Sequence, residues 1–213
     1  MIGKGSTGIA KMSLGDVEIQ RGSLGGKEVF SALDLGPGPQ TLIGGDMQAG
    51  FFGETQVSEL ITGDELAALI GLTAGTSQYS NEPWLKFAYM GNIEFVAKKP
   101  FRYGISWVNI NTNAVNAVFG NRIVTIKGRS YKIRLMKGNT EKSASSGTTP
   151  HGSEWNKLML PIHENAPSNW AYPKNVNSPT ENWGIGYTDA DLVTRSGHGG
   201  GPYSWCQEYG SPG

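Results

Sequence analysis

Apolar and aromatic residues along this chain gather in short runs broken by Gly, Asn and Pro, a pattern of strands and turns rather than of long helices. Trp84 to Tyr89 and Ile93 to Ala97 flank Met90-Gly91-Asn92 and predict a hairpin. Asn121 to Ile126 and Ser130 to Leu135 flank Lys127-Gly128-Arg129 and predict another, and Tyr203 to Glu208 reads as a last strand. Helical spacing is rarer. Thr62-Gly63-Asp64-Glu65 is a capping-box pattern ahead of Leu66, Leu69 and Ile70, with Gly71 as the stop. Ser106-Trp107-Val108-Asn109 starts a second short helix. Ser153-Glu154-Trp155-Asn156 opens a third, placing Trp155, Leu158 and Met159 on one face, with Pro161 limiting its length. A single helical turn is predicted from Thr188 to Leu192. The expected fold class is α+β, dominated by β-structure, with short helices.

Near the start the pattern repeats itself. Ser13-Leu14-Gly15-Asp16-Val17-Glu18-Ile19 is followed ten residues later by Ser23-Leu24-Gly25-Gly26-Lys27-Glu28-Val29. Each copy reads S-L-G-x-x-E-[I/V]: an apolar residue, a glycine turn that tolerates positive φ, then a return into a β-branched position. The two copies predict a small β-meander too slight to bury a core of its own, because isolated hairpins are marginal in water. Such an element needs a partner surface, which makes Leu14, Gly15, Ile19, Leu24, Gly25 and Val29 the candidate docking residues. The run Leu35-Gly36-Pro37-Gly38-Pro39-Gln40 is Pro/Gly punctuation and places a domain boundary between Leu35 and Gln48. The expected organisation is an N-terminal β attachment segment and linker over 1–40 and a globular displayed domain over 41–213.

Composition sharpens this picture in three ways. Charged residues are 17% of the chain, below the roughly 25% of an average soluble domain, and Gly accounts for 31 of 213 residues, which fits many turns and an uncharged polar surface. The 18 basic and 18 acidic residues cancel without clustering, so no nucleic-acid footprint is expected. The single cysteine, Cys206, excludes an intramolecular disulfide framework and a Cys-rich zinc site, and fits assembly in a reducing compartment. The glycine-rich start lacks the apolar core of a signal peptide, and no stretch approaches the length of a membrane span.

The residues offer no convincing active site, and the chain is expected to be neither an enzyme nor a cofactor or metal binder. His151, His163 and His198 are scattered without metal-ligand spacing. Ser153, His163 and Asp189 form a triad only on paper, because no G-x-S-x-G elbow surrounds a serine. Asp189 or Asp191 with Glu54 or Glu59 would make a glycosidase pair, but the two aspartates are better read as first-turn carboxylates of a short helix. Cys206 reads as a buried thiol, and Gly197 to Gly201 lacks the Lys-[Ser/Thr] ending of a phosphate loop. The segment Gly138 to Pro150 reads as a Ser/Thr/Gly-rich loop. The loop from Asn165 to Trp183 is long and polar, and its Trp170, Tyr172 and Trp183 are candidates for stacking on a glycan or receptor, against the alternative that these aromatics pack the core.

Residues 48–208 resemble a domain of tailed-bacteriophage virion proteins. The similarity is carried by Gly50-Phe51-Phe52-Gly53-Glu54, Glu59-Leu60-Ile61-Thr62, Ile70 to Thr76, Trp84-Leu85-Lys86-Phe87, Val96 to Tyr103, Val118 to Asn121, Tyr131 to Leu135, Gly152 to Asn156, Tyr187 to Leu192 and Tyr203 to Glu208. The S-L-G-x-x-E-[I/V] pair separately resembles β-arms at the start of phage tail and fibre proteins, where such arms fasten a displayed part to the particle. The Trp205-Cys206 strand and the Glu154-Trp155-Asn156 helix are similar to elements of C-type-lectin-like domains. The phage resemblance implies a virion component of tail, fibre, neck/collar or baseplate, assembled in the host cytoplasm, present in several copies and contacting other virion proteins. It carries no catalytic residue. Trp84, Trp107, Trp155 and Trp205 are expected to organise one core. Beside the structural reading stands a displayed adhesin for a host surface glycan or receptor, and, third, an enzyme acting on cell wall or surface polysaccharide.

Overall fold

The computed structural model describes residues 12–14, 17–19, 21–24, 27–31, 34–138, 154–164 and 182–192, with the backbone alone described for 12–31, 156 and 189. The predicted strand at 203–208 and loops at 139–150 and 165–180 lie outside the described residues. The fold is α+β and β-dominated, with several antiparallel sheets and few, short helices. The chain divides into two compact units, residues 1–36 and 37–213.

In the N-terminal unit β1 (Met12–Leu14) pairs with β2 (Val17–Ile19), and β3 (Arg21–Leu24) pairs with β4 (Lys27–Ser31), both antiparallel. These are two separate two-stranded ladders; no ladder joins β2 to β3 among the described residues, so the repeat makes twin hairpins rather than one meander. The reason is in the spacing. Gln20 alone separates β2 from β3, whereas the tightest common hairpin loops use two residues.

In the globular unit a four-stranded antiparallel sheet runs β5 (Gly44–Gly45), β6 (Ala49–Thr55), β8 (Trp84–Tyr89), β9 (Asn92–Ala97) in that order. Two two-stranded ladders accompany it: β7 (Thr76–Ser77) with β10 (Arg102–Tyr103), and β11 (Phe119–Ile126) with β12 (Arg129–Arg134). Strand β6 was not evident from its sequence, Ala-Gly-Phe-Phe-Gly-Glu-Thr, because it does not alternate. The register shows why. Phe51 opposes Phe87 and Gly53 opposes Lys86, so Phe52 is an extra, bulged residue, and Gly53 takes a φ of 121° there. The bulge shifts the alternation by one, which puts Phe51 and Glu54 on the same face.

Both faces of β8 are covered, so all six of its residues are buried. On one face Trp84 joins a cluster with Leu66 and Ile70 of α1 (Gly63–Ile70), Ile110 of α2 (Trp107–Ile110), Val118, and Val124 and Ile126 of β11. On the other face Leu85, Phe87 and Tyr89 pack with Phe51, and with Leu158, Met159 and Ile162 from a π-helical turn (Trp155–Met159) and a 3-10 turn (Leu160–Ile162). Leu192 of α3 (Asp189–Leu192) completes that second cluster. The expectation of one core organised by four tryptophans is therefore corrected. A central sheet splits the core in two, Trp84 is buried, Trp107 is half-buried, Trp155 is 37% exposed, and Trp205 lies outside the described residues.

Local signals set the helix ends. Thr62 caps α1 and the Glu65 carboxylate accepts from the Thr62 N–H, the reciprocal capping box; the hydrogen bonds from Thr62 hold the Glu65 carboxyl below its ordinary range. Gly71, at φ 77°, closes the helix by donating to the Ala67 and Ala68 carbonyls. Ser106 and Asn109 cap α2 in the same manner. Pro161 has no N–H for an α-helical bond, and the preceding ladder adjusts to the wider Leu160 N–H to Trp155 carbonyl bond. The β8–β9 and β11–β12 hairpins turn on Met90-Gly91 and Lys127-Gly128, all four residues at positive φ between 48° and 80°.

Candidate functional site

The predicted docking residues fall on the twin hairpins, whose registers nearly coincide. Ser13 opposes Glu18 and Leu14 opposes Val17 in the first; Ser23 opposes Glu28 and Leu24 opposes Lys27 in the second. The two copies of the repeat thus fold into the same ladder over these pairs. Gly15 and Gly25 lie outside the described residues. The copies diverge at their ends. Ile19 opposes Met12, but Val29 has no opposing residue, because Gly22 opposes Phe30 and Ser23 opposes Glu28. Gly22 occupies the place that Met12 holds in the first copy, and a glycine in a strand commonly accompanies such a bulge. Among the described residues each of the four strands has a single partner, so each has one edge with no ladder partner there.

Of the three aromatics expected to contact a glycan, Trp170 and Tyr172 lie outside the described residues. Trp183 is half-buried and lies on the backbone of β5: a Cβ added to Gly44 would come within 2.6 Å of the Trp183 Cβ, and one added to Gly45 within 2.9 Å of the ring carbon Cζ2. Its backbone N–H donates to the Pro161 carbonyl at 2.9 Å, and it borders the second core cluster. Glycine at both 44 and 45 is what lets the indole approach so closely. The indole N–H is buried with no acceptor among the described residues.

Of the carboxylates weighed for catalysis, Glu54 fastens separate elements together, while Asp191 and Glu59 close local turns. Glu54 on β6 accepts from the Tyr187 hydroxyl at 2.6 Å and pairs with Lys98 at 2.8 Å, and the Lys98 ammonium lies 5.0 Å from the Tyr187 ring centre. Burial and the Glu54 carboxylate push the Tyr187 hydroxyl well above its ordinary range. Asp191 accepts from the Thr188 side chain and backbone, which holds its carboxyl low and caps α3. Glu59 accepts from the Gln56 N–H. His163 is buried and bridges in parallel to Tyr187. Ser153, His151, His198 and Cys206 lie outside the described residues.

A second ionic cluster was not legible in the sequence. Arg134 on β12 donates to both oxygens of Glu94 on β9, at 2.7 and 2.8 Å, and to both of Glu154, at 2.5 and 3.0 Å. Glu154 is 1% exposed and also accepts from the Lys137 N–H at 2.8 Å. One guanidinium serves two carboxylates. Burial pushes the Glu94 carboxyl up against the pull of Arg134, and although burial opposes its charge, hydrogen bonds and the fields of the two glutamates hold the Arg134 guanidinium up. The partners are 40 and 20 residues apart in sequence, so no local pattern announces them.

Lys86, in the middle of β8, is also fully buried. Its ammonium donates to the Pro39 carbonyl at 2.5 Å and lies 5.0 Å from the Phe52 ring centre, which fixes the Pro/Gly run against the sheet. Among the described residues no group of three or more His, Cys, Asp and Glu side chains is placed to hold a metal ion. No described helix is long and apolar enough to cross a membrane. No protein-family model, curated protein or solved structure matches this chain.

Proposed function

We propose that this chain is a non-enzymatic structural component of a tailed-bacteriophage virion, fastened to other virion proteins through its N-terminal hairpins. The observation that carries this reading is the N-terminal unit. Two copies of one motif fold into hairpins that share a register over the pairs nearest their turns, in a unit separate from the globular part, and among the described residues neither ladder has a third strand of the kind that stabilises isolated hairpins in water. A segment of that kind is built to be completed by a neighbour, and strand edges are a standard route for doing so. The globular unit supports the same reading: Glu54, Glu94, Glu154, Arg134 and Lys98 are engaged in holding sheets and turns together. The resemblance of residues 48–208 to phage virion proteins supplies the setting, in tail, neck or baseplate. Mass spectrometry and cryo-electron microscopy of purified particles test the proposal. The chain is expected in the particle, with density for residues 12–31 against a neighbouring subunit; its absence from purified particles overturns it.

A further inference from the structure

We infer that the hairpins join copies of this chain to one another by strand addition, the first hairpin of one copy against the second hairpin of the next. The inference rests on the reading of the N-terminal unit as the attachment segment and names its first partner. Three observations lead to it.

The open edges are not closed by the adjacent strand. With Gln20 alone between them, β2 and β3 lack the two residues of a tight reversal, so the two hairpins follow one another along the chain without pairing at the point where they meet. Among the described residues no third strand closes the edges they leave, and another chain can supply one.

The two hairpins also offer equivalent frames. The pairs Ser13↔Glu18 and Leu14↔Val17 match Ser23↔Glu28 and Leu24↔Lys27 position for position, so the two ladders share a register over these pairs, up to the bulge at Val29. Two equivalent hairpins give each copy two valences, and a second contact on a short tether strengthens association far beyond one.

Charge then decides which hairpin meets which. Residues 12–19 carry Asp16 and Glu18 and no Lys or Arg, a charge of −2; residues 21–31 carry Arg21, Lys27 and Glu28, two positive and one negative, a charge of +1. Two first hairpins repel one another, whereas a first and a second attract, and cross-strand charge pairs set both partner and register. The contact is therefore head-to-tail, and such a contact closes into a ring when its rotation allows.

The test uses the full-length purified protein in sedimentation equilibrium and light scattering, without any other virion protein. The wild type is expected to form oligomers whose average mass falls as salt is raised. The double variant Asp16→Lys/Glu18→Lys makes both hairpins positive, and Arg21→Glu/Lys27→Glu makes both negative; each alone is expected to be monomeric, and an equimolar mixture to associate again. Ile19→Pro with Glu28→Pro, which removes one backbone donor from each hairpin, is expected to be monomeric with the thermal unfolding of the globular unit unchanged. A wild type that stays monomeric up to millimolar concentration overturns the inference. So does a proline variant that keeps the wild-type mass, or a mixture that stays monomeric while both components remain folded. The virion reading fails separately: a chain that self-associates in this way yet is missing from particles leaves strand addition standing and removes the phage setting.

Discussion

The ladder that closes at Leu14↔Val17 and the ladder that closes at Tyr89↔Asn92 are built by the same local device, two short strands joined over two residues. Their surroundings differ. The N-terminal hairpins stand as two-stranded ladders, whereas β8 has a strand on either side and a packed cluster on each face. Local chemistry makes the hairpin; layers make it stable. The contrast assigns different work to the two regions. The globular unit is held by its own core and ion pairs, whereas on the proposed reading the N-terminal unit is completed by a neighbour.

The sharpest way to break that comparison is to damage the covered sheet. Phe87→Ala empties a fully buried position that packs at 5.1 Å from Phe51. It is expected to cost about 3–5 kcal/mol in urea unfolding. Ile19→Pro in the N-terminal ladder should leave the same transition in place. Equal losses from the two substitutions would erase the distinction drawn between the units.

Next in size is the Arg134 cluster, which joins β9, β12 and the turn that begins at Glu154. Arg134→Met leaves two carboxylates without their cation and is expected to cost about 3 kcal/mol, the low end for a buried pair, because the Arg134 side chain keeps 21% exposure. A loss well under 1 kcal/mol would show that the cluster fastens nothing.

The same cluster predicts a pH dependence of definite sign. Burial raises the Glu94 carboxyl, so the native state binds its proton more readily than the unfolded chain does. Its contribution is complete below the unfolded value, near 4.3 by ordinary reference, and is lost as pH rises through the raised native one. The stability of wild type relative to Glu94→Gln should therefore fall as pH rises above about 4. A difference that grows with pH would reverse the assignment and mean that Arg134 outweighs burial.

The smallest effect sharpens the comparison at the turns. Met90 sits at φ 49° in a two-residue loop and is 65% exposed, in a conformation that Asn adopts more readily. Met90→Asn is expected to stabilise the globular unit by up to about 1 kcal/mol. Thermal unfolding that moves downward would count against a strained turn.

The elements most legible in the sequence were those whose signal is local. Thr62 with Glu65, Ser106 with Asn109, and Thr188 ahead of Asp191 announce helix starts through hydrogen bonds made within three residues. Met90-Gly91 and Lys127-Gly128 announce hairpins. Trp183 shows the limit of such reading: glycan contact and core packing both stood open in the sequence, and the tertiary structure lays the ring on Gly44 and Gly45, 138 residues away from Gly45 in the chain. For the docking residues the repeat itself was plain, but that Val29 is bulged where Ile19 is paired depends on Gly22, across the ladder.

By itself, then, the sequence determined a β-dominated fold with short capped helices, because caps, turns and strand patterns act over a few residues. The tertiary structure alone decided three things. The bulge at Phe52 makes β6 a strand, the central sheet divides one expected core into two, and Arg134 gathers Glu94 and Glu154. Each depends on groups that meet only after the chain has closed large loops, and no window of neighbouring residues contains both partners.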